Sequence, residues 1–240
     1  MHELLDKIKQ SPNIISQLDV SLKARNIEAE VITFVNPYSY LLLRNRVDLV
    51  AELDSVYTDA ISSAKLFSVF FRKPISRISF DMSSFARAFL EKANENRLKV
   101  YFIGSKSDEI TKTMAIFKKN YPEIDIVGYE HGYFESDEAV FNRIIQCEAE
   151  YVVCGLGTPK QEEFAVKLKR QKSKVKQIYT CGGFLHQTAN KLYYYPKFID
   201  QLHLRWLYRV FDDPYVLKRL VIQYPQFFCV VLKDLFTKMK

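Results

Sequence analysis

The sequence is poor in glycine, has no closely spaced cysteines and contains no long apolar run. Its 240 residues include 7 Gly, 8 Pro and 4 Cys, which excludes collagen-like, low-complexity and disulfide-rich secreted chains. Because no two cysteines form a Cys-x-x-Cys pair, we expect reduced thiols instead of disulfides or a zinc site. No apolar stretch approaches the roughly 20 residues that span a bilayer, and the first residues do not resemble a signal peptide. The sequence therefore predicts a globular protein that stays in the cytoplasm.

Two motifs of cofactor and metal sites are also absent. No Gly-x-Gly-x-x-Gly fingerprint follows a predicted strand, which argues against nicotinamide or flavin binding. No Asp-x-Asp triplet occurs in the chain. We therefore expect no cofactor and no required metal.

The excess of positive charge lies near the C terminus. The formal charge is +7, and residues 191–240 hold nine Lys and Arg against four Asp, which accounts for +5 of it. The same segment is rich in Tyr and Phe, and this mixture is typical of interfacial helices near anionic lipid headgroups. Basic and aromatic residues also line nucleic-acid grooves. A module that binds RNA or another polyanion is therefore the alternative, but no RNA-binding motif occurs and we expect no nucleic-acid partner.

Short apolar segments alternate with helical segments along most of the chain. We predict strands at 30–35, 55–59, 98–104, 124–129, 151–154 and 177–181. This alternation predicts an α/β, Rossmann-like fold with a mainly parallel sheet and helices on both faces. Residues 1–196 would form this core. Residues 197–240 would form a helical appendage, with helices at 197–211, at 215–223 and after Pro225.

The stretch Tyr151–Phe164 is the centre of the predicted site. Its apolar start reads as a strand covered on both faces, and its charged end reads as a helix. Between them lie two glycines that permit a tight turn and a close ligand, a proline suited to the first helical turn, and polar residues at the helix start. The candidate ligand-binding residues are Gly155, Gly157, Pro159, Gln161 and Glu162. The alternative is an ordinary strand-to-helix connection whose polar residues only cap and solvate the helix.

Polar residues and glycines also follow the other predicted strands. Because ligands bind at the carboxyl ends of parallel strands, these positions are further candidates. They are Asn36, Asp59, Gly104, Gly182 and Gly183. The turn at 104–107 could hold a nucleotide phosphate at the N terminus of the next helix. Asn36 could instead be a turn former and Asp59 a helix cap.

Seven motifs, taken in order, resemble one family. They are VNPY at 35–38, YTDAIS at 57–62, RISFD at 77–81, GYEHGYF at 128–134, GLGTPKQEEF at 155–164, CGGFLHQTANKLYYYP at 181–196 and HLRWLYRVFDDPYVLKR at 203–219. Together they resemble the WecG/TagA/CpsF glycosyltransferases over nearly the whole chain. The resemblance implies transfer of an N-acetylmannosamine-type or glucose-type sugar from a UDP-sugar to a lipid-diphosphate-linked sugar, with inversion. It also implies peripheral attachment to the inner face of the cytoplasmic membrane through an anionic lipid surface.

The resemblance assigns roles to individual residues. It implies that Asp59 is the catalytic base, and that Arg209 and Arg219 neutralise the leaving UDP as forked guanidinium groups can. Asn36 and Gln161 would orient the sugars. Two further residues, Arg77 and Asp81, lie in the RISFD segment, which resembles the family's Arg-x-x-Gly-x-Asp, and are candidate substrate-binding residues, although they could equally form a structural salt bridge.

The chain departs from the family pattern at five positions near the predicted site. They are Phe34 in place of Thr, Ala60 and Phe80 in place of Gly, His186 in place of Asp and Arg205 in place of Glu. His186 could alter sugar recognition or be a structural histidine. A family-like scaffold with altered catalysis is therefore a second alternative, and self-association into a homo-oligomer stays open.

Overall fold

A computed structural model describes residues 2–23, 28–194, 199, 207–208, 210 and 217–236. In this part of the chain, one sheet holds the strands β1 (Glu30–Val35), β2 (Ser55–Thr58), β3 (Lys99–Gly104), β4 (Asp125–Glu130), β5 (Tyr151–Gly155) and β6 (Gln177–Thr180). Their order is β2-β1-β6-β5-β3-β4, and every neighbouring pair is parallel. The predicted Rossmann-like α/β class is confirmed.

Helices connect and cover these strands. They are α1 (Glu3–Gln10), α2 (Ile14–Lys23), α3 (Pro37–Leu43), α4 (Val47–Ala51), α5 (Ile61–Phe71), α6 (Phe85–Glu95), α7 (Ser107–Asn120), α8 (Asp137–Gln146), α9 (Lys160–Lys169), α10 (Phe184–Asn190) and α11 (Tyr224–Phe236). A π-helical segment, Arg219–Gln223, leads directly into α11. Most of the helix predicted at 197–211 lies outside the described residues. Of the helix predicted at 215–223, residues 217–223 are described and are helical, with 219–223 in the π-helical segment.

The core forms two apolar layers, one on each face of the sheet. Successive residues of a strand fall in opposite layers: Val31 and Val152 contribute to one, and Ile32 and Val153 contribute to the other. This alternation follows from the two-residue period of a strand. Since both faces are apolar, the inner strands read as continuous apolar runs, as expected for a parallel sheet.

Helix α11 packs into the same core as residues far earlier in the chain. Phe227 and Val231 are buried in the layer that also contains Tyr40, and the Phe227 and Tyr40 rings meet edge to face with centroids 5.1 Å apart. The Arg44 guanidinium also forms a two-pronged ion pair with the Asp234 carboxylate, including an Nε–Oδ2 contact of 3.0 Å. The predicted appendage begins at residue 197, yet its last helix shares the hydrophobic core of the α/β unit.

Candidate active site

A large cavity opens at the carboxyl ends of the strands, where ligands bind in folds of this kind. Its volume is about 1560 Å³, and its lining comes from the segments that follow β1, β2, β3, β4, β5 and β6. Ten predicted site residues line it: Asn36, Asp59, Arg77, Asp81, Gly155, Gly157, Gln161, Gly182, Gly183 and His186. The sheet therefore gathers side chains that are up to 150 positions apart in the sequence.

The cavity lies at the point between β3 and β5 where the order of the strands in the sheet reverses. From β3 the chain continues to β4 on one side, and from β5 it continues to β6 on the other. Gly104 and Gly155 face each other there in register, and a Cβ atom on Gly104 would lie 2.4 Å from the Gly155 carbonyl oxygen. Gly104 also has a φ of +142°, which side chains disfavour. Gly104 thus serves the close approach of two strand ends and does not itself line the cavity.

Asp59 directly follows the carboxyl end of β2 and precedes Ala60, the N-cap of α5. Its backbone N–H donates to the Val35 carbonyl oxygen over 2.7 Å, which continues the pairing of β1 and β2 and fixes its position. Its side chain is 34% exposed and its Oδ1 accepts a hydrogen bond from Arg77 Nη2 over 2.8 Å. The carboxylate therefore faces the cavity in a defined orientation.

Arg77 holds the two carboxylates of the site. Its Nη2 contacts Asp59 Oδ1 at 2.8 Å and Asp81 Oδ2 at 2.6 Å, and its Nε donates to the Asp59 carbonyl oxygen at 2.7 Å. Burial opposes the positive charge, but the carboxylates of Asp59 and Asp81 outweigh it and raise the pKa of Arg77 above its usual value. The salt bridge considered from the sequence is present, and Arg77 and its two carboxylate partners all line the cavity.

Asp81 is engaged on both of its oxygens. Its Oδ2 accepts from Ser79 Oγ over 2.6 Å, and its Oδ1 accepts from the Ser83 backbone N–H and hydroxyl over 2.9 and 2.6 Å. These bonds, together with the Arg77 contact, hold the 79–83 loop against the site. Asp81 is therefore an organiser of the loop, and Asp59 is the more exposed carboxylate of the pair.

Asn36 and Gln161 present opposite hydrogen-bonding groups. Asn36 Oδ1 accepts from the backbone N–H groups of Tyr38 and Ser39, each over 3.0 Å, and so caps α3. The Asn36 amide nitrogen has no hydrogen-bond partner among the described residues and is available as a donor. Gln161 is only 2% exposed, its Nε2 is engaged by protein oxygens, and its Oε1 accepts from Gly182 N over 3.2 Å. Gln161 Oε1 therefore has one acceptor position left.

Glu162 and Pro159 do not line the cavity. Glu162 is 0% exposed and lies beneath the floor, where its Oε1 accepts from Gln161 Nε2 over 2.9 Å. Pro159 precedes the first residue of α9, at the start of the helix as predicted. Glu162 therefore supports the floor of the cavity from behind, and Pro159 serves the start of α9.

The start of α7 already carries a carboxylate where a phosphate was predicted. Glu109 Oε2 accepts from the Lys106 backbone N–H over 3.1 Å, and Glu109 Oε1 lies 3.0 Å from His186 Nδ1. Contacts with Lys106 and His186 lower the pKa of Glu109 despite the opposing effect of burial. Asp108 adds a second acidic group in the first turn. The helix charge is thus offset by protein carboxylates, which disfavours the 104–107 turn as a phosphate site.

Sequence reasoning missed several cavity residues. Tyr133 follows β4, so the expectation that ligands bind at the carboxyl ends of parallel strands could have found it. Lys106 lies in the turn proposed at 104–107 but was not singled out there. Leu220 and Tyr224 reach the cavity from the π-helical segment and α11, and only long-range packing brings them there. No local pattern in the sequence indicates that contact.

The departures from the family pattern gather around the cavity. Phe34, Ala60, Phe80 and His186 all line it, and the Phe34 and Phe80 rings meet edge to face with centroids 5.9 Å apart. Arg205 and Arg209 lie outside the described residues, and for Arg219 only the backbone is described. The proposed arginine clamp therefore stays a prediction.

Comparison with known proteins agrees with this geometry. A family model described as "Glycosyl transferase WecG/TagA/CpsF family" matches residues 5–240. The protein is thus an enzyme of the glycosyltransferase class. The chain belongs to the WecG/TagA/CpsF family, which confirms the resemblance seen in its motifs.

Two relatives show the activities found among similar proteins. The UDP-Gal:alpha-D-GlcNAc-diphosphoundecaprenol beta-1,4-galactosyltransferase of Shigella boydii is 40% identical over 200 residues, covering 82% of this chain and 83% of the relative. The N-acetylglucosaminyldiphosphoundecaprenol N-acetyl-beta-D-mannosaminyltransferase of Bacillus spizizenii is 26% identical over 225 residues, covering 92% and 85%. Both relatives act on an N-acetylglucosamine joined to undecaprenyl diphosphate.

Within the described residues, no helix combines the length and the apolar character needed to cross a membrane. Nor do three or more His, Cys, Asp or Glu side chains converge into a metal-binding group in that part of the chain. Metal independence stays a prediction.

Proposed function

We propose that the enzyme moves a hexose from a UDP-sugar to a lipid-diphosphate-linked sugar, with inversion at the anomeric carbon, during assembly of a bacterial surface polysaccharide. The observation that carries the proposal is the Asp59 carboxylate, oriented by Arg77 at the mouth of a large strand-end cavity. The Shigella relative supports UDP-galactose as the first donor to test and lipid-linked N-acetylglucosamine as the acceptor.

In this mechanism Asp59 acts as a general base. The acceptor hydroxyl oxygen attacks the anomeric carbon of the donor sugar while the bond from that carbon to the UDP oxygen breaks on the opposite face. The hydroxyl proton passes to the Asp59 carboxylate, which is within reach of the cavity. Arg77 keeps the carboxylate oriented, and one displacement of this kind inverts the anomeric centre.

The leaving diphosphate needs positive charge beyond the described lining. Three acidic residues of the lining, Asp59, Asp81 and Glu109, balance the three basic residues Arg77, Lys106 and Lys160. Arg219 begins the π-helical segment whose next residue, Leu220, lines the cavity. This position supports the assignment of Arg219 to the departing UDP. Arg209, which lies outside the described residues, is assigned to the same role by the family resemblance alone.

The same segment supports attachment to the inner face of the cytoplasmic membrane. Val221 is 65% exposed and Ile222 is also an exposed apolar residue, as is Leu217 two residues before the segment. Their neighbours Leu220 and Tyr224 line the cavity. An acceptor whose lipid part stays in the bilayer would therefore meet the cavity next to an apolar surface.

Acceptor-dependent release of UDP tests the function. The parent protein would be mixed with a panel of UDP-sugars and a short-chain polyprenyl-diphosphate N-acetylglucosamine, and free UDP would be measured. We expect the fastest release with UDP-galactose and a disaccharide product with a new β linkage. Salt-sensitive RNA binding without turnover of any UDP-sugar would refute the proposal in favour of a polyanion-binding module.

Substitution of the exposed apolar surface tests the membrane assignment. The double variant Val221→Asp/Ile222→Asp is expected to bind phosphatidylglycerol vesicles at least about tenfold more weakly, because each buried apolar side chain is worth roughly 1.5–3 kcal/mol. Vesicle co-sedimentation measures the change. Val69→Asp is the matched control, since Val69 is 75% exposed on α5. Equal binding by the double variant and the parent would contradict the assignment.

A further inference from the structure

A cluster of polar side chains lies beneath the cavity floor, inside an otherwise apolar core. Thr33 of β1 and Thr180 of β6 are fully buried, and Glu162 of α9 lies against them. Thr158 and Gln161 complete the cluster on the side of the cavity. Most buried polar groups have a hydrogen-bond partner, and each hydroxyl group here has a single hydrogen to give, so the directions of these hydrogen bonds can be assigned.

One oxygen of Glu162 accepts every hydrogen bond that the cluster gives to this side chain. Its Oε1 lies 2.8 Å from Thr33 Oγ1, 2.9 Å from Gln161 Nε2 and 3.2 Å from Thr158 Oγ1. Thr33 Oγ1 also lies 2.7 Å from Thr180 Oγ1. Because the Thr33 hydroxyl has one hydrogen and gives it to Glu162, Thr180 must donate to Thr33.

The other oxygen of Glu162 has no hydrogen-bond partner among the described residues. Glu162 Oε2 is buried and makes no hydrogen bond within the described part of the chain. No cationic side chain there compensates a charge on this carboxyl group, and burial raises its pKa. An uncompensated buried charge costs more than a neutral O–H group that lacks an acceptor, so the arrangement fits a carboxylic acid with its proton on Oε2 and its carbonyl oxygen Oε1 as the acceptor.

This arrangement permits only one orientation of the Gln161 side-chain amide. Gln161 Nε2 must face Glu162 Oε1, because a flipped amide would set two acceptor oxygens against each other. Gln161 Oε1 then faces Gly182, whose backbone N–H needs an acceptor and lies 3.2 Å away. The remaining acceptor position of Gln161 Oε1 is the group that this side chain can offer to a ligand.

We propose that Glu162 is a positioning residue for sugar binding: as a neutral acid under the floor, it fixes the Gln161 amide so that Gln161 Oε1 accepts a hydrogen bond from a substrate hydroxyl group. This inference rests on the proposed transferase function. It assigns Glu162 no contact with the substrate. Its effect acts on affinity for the sugar, because the proton acceptor Asp59 belongs to a separate hydrogen-bonded group.

Two substitutions of Glu162 separate positioning from charge. Glu162→Gln keeps an acceptor oxygen in place of Oε1, so its KM for the UDP-sugar is expected to stay within about threefold of the parent value. Glu162→Leu removes the acceptor and frees the Gln161 amide to turn, so KM should rise about tenfold, the value of one lost hydrogen bond, with a smaller change in kcat. Gln177→Leu is the control, since it loses buried hydrogen bonds at the opposite end of β6.

The outcomes distinguish this inference from the proposed function. A parent enzyme that turns over UDP-sugars, with an unchanged KM in Glu162→Leu, would overturn the positioning role alone. A large loss of activity in Glu162→Gln would also overturn it, because a carboxylate charge would then be required. A parent that neither binds nor turns over any UDP-sugar would refute the proposed function and the inference together.

Unfolding at different pH values tests the neutral state without activity, even if Glu162→Leu fails to fold. A carboxyl group that stays protonated in the folded protein but ionises in the unfolded chain lowers stability as pH rises above about 4.3. The melting temperature of Glu162→Gln minus that of the parent should therefore increase as the pH is raised from 5 to 8. The buried thiols of Cys154 and Cys181 stay neutral in this range because burial raises the pKa of each, and Lys160 is present in both proteins. A constant difference in melting temperature would overturn the inference.

Discussion

Replacement of Asp59 by asparagine is expected to lower kcat for sugar transfer by about 10²- to 10⁴-fold, the usual contribution of a general base. The amide cannot take the proton of the acceptor hydroxyl, but it retains the size of the carboxylate. The fold should persist, because Arg77 keeps its contact with Asp81 and the Asp59 backbone keeps its bonds to β1 and to Arg77. Acceptor-dependent UDP release measures the loss, and thermal unfolding confirms the fold.

Asp48→Asn is the matched control for this experiment. This substitution removes the same charge from the exposed surface of α4, so the kcat of the variant should equal that of the parent. Retention of most of the activity by Asp59→Asn would contradict the assignment of the base. A parent that is itself inactive on every UDP-sugar would instead support the altered scaffold, since Phe34, Ala60, Phe80 and His186 all line the cavity.

The strands were predictable because a strand covered on both faces of the sheet appears in the sequence as a short continuous apolar run. β1, β5 and β6 are short, apolar and buried, and each was predicted within one residue of its observed bounds. The helical stretch between β1 and β2 is harder to delimit from the sequence, because it divides into α3 and α4 around Arg46. The Arg46 backbone has left the helical region there, and the sequence carries neither Gly nor Pro to mark the break.

The rule that ligands bind at the carboxyl ends of parallel strands located the site but did not give the role of each residue in it. Asn36, Asp59 and Gln161 were found because each follows the carboxyl end of a strand. The rule does not say which polar residue faces the ligand and which supports it from behind, and Glu162 shows the difference: its neighbour Gln161 lines the cavity and Glu162 lies beneath it. That distinction depends on burial, which arises from packing between α9, β1 and β6.

The start of α7 illustrates the same limit in electrostatic terms. A glycine turn before a helix suggests a phosphate site, because the helix N terminus is partly positive. Here Glu109 and Asp108 supply negative charge at that point, and Glu109 also engages His186. The acidic residues are visible in the sequence, but their contact with His186 from α10 depends on the fold.

The second large effect is expected at the junction between α11 and the core. Phe227→Ala should lower the free energy of unfolding by about 3–5 kcal/mol, as is typical of a buried aromatic residue, because Phe227 is 1% exposed and packs against Tyr40 and Phe67. The melting temperature should fall by about 10 °C, since each kcal/mol shifts it by roughly 2–4 °C in a chain of this size. Calorimetry or thermal denaturation followed by circular dichroism measures the change.

Val221→Ala is the control for that prediction, because Val221 is exposed and its loss should change the free energy of unfolding by less than about 0.5 kcal/mol. An unchanged melting temperature for Phe227→Ala would mean that α11 is not part of the core. If the expected loss is found, deletion of 203–240 becomes a poor test of membrane attachment, because the deletion would also remove Phe227, Val231 and Asp234 from the packed protein. Substitutions confined to the exposed residues of the π-helical segment then separate attachment from folding.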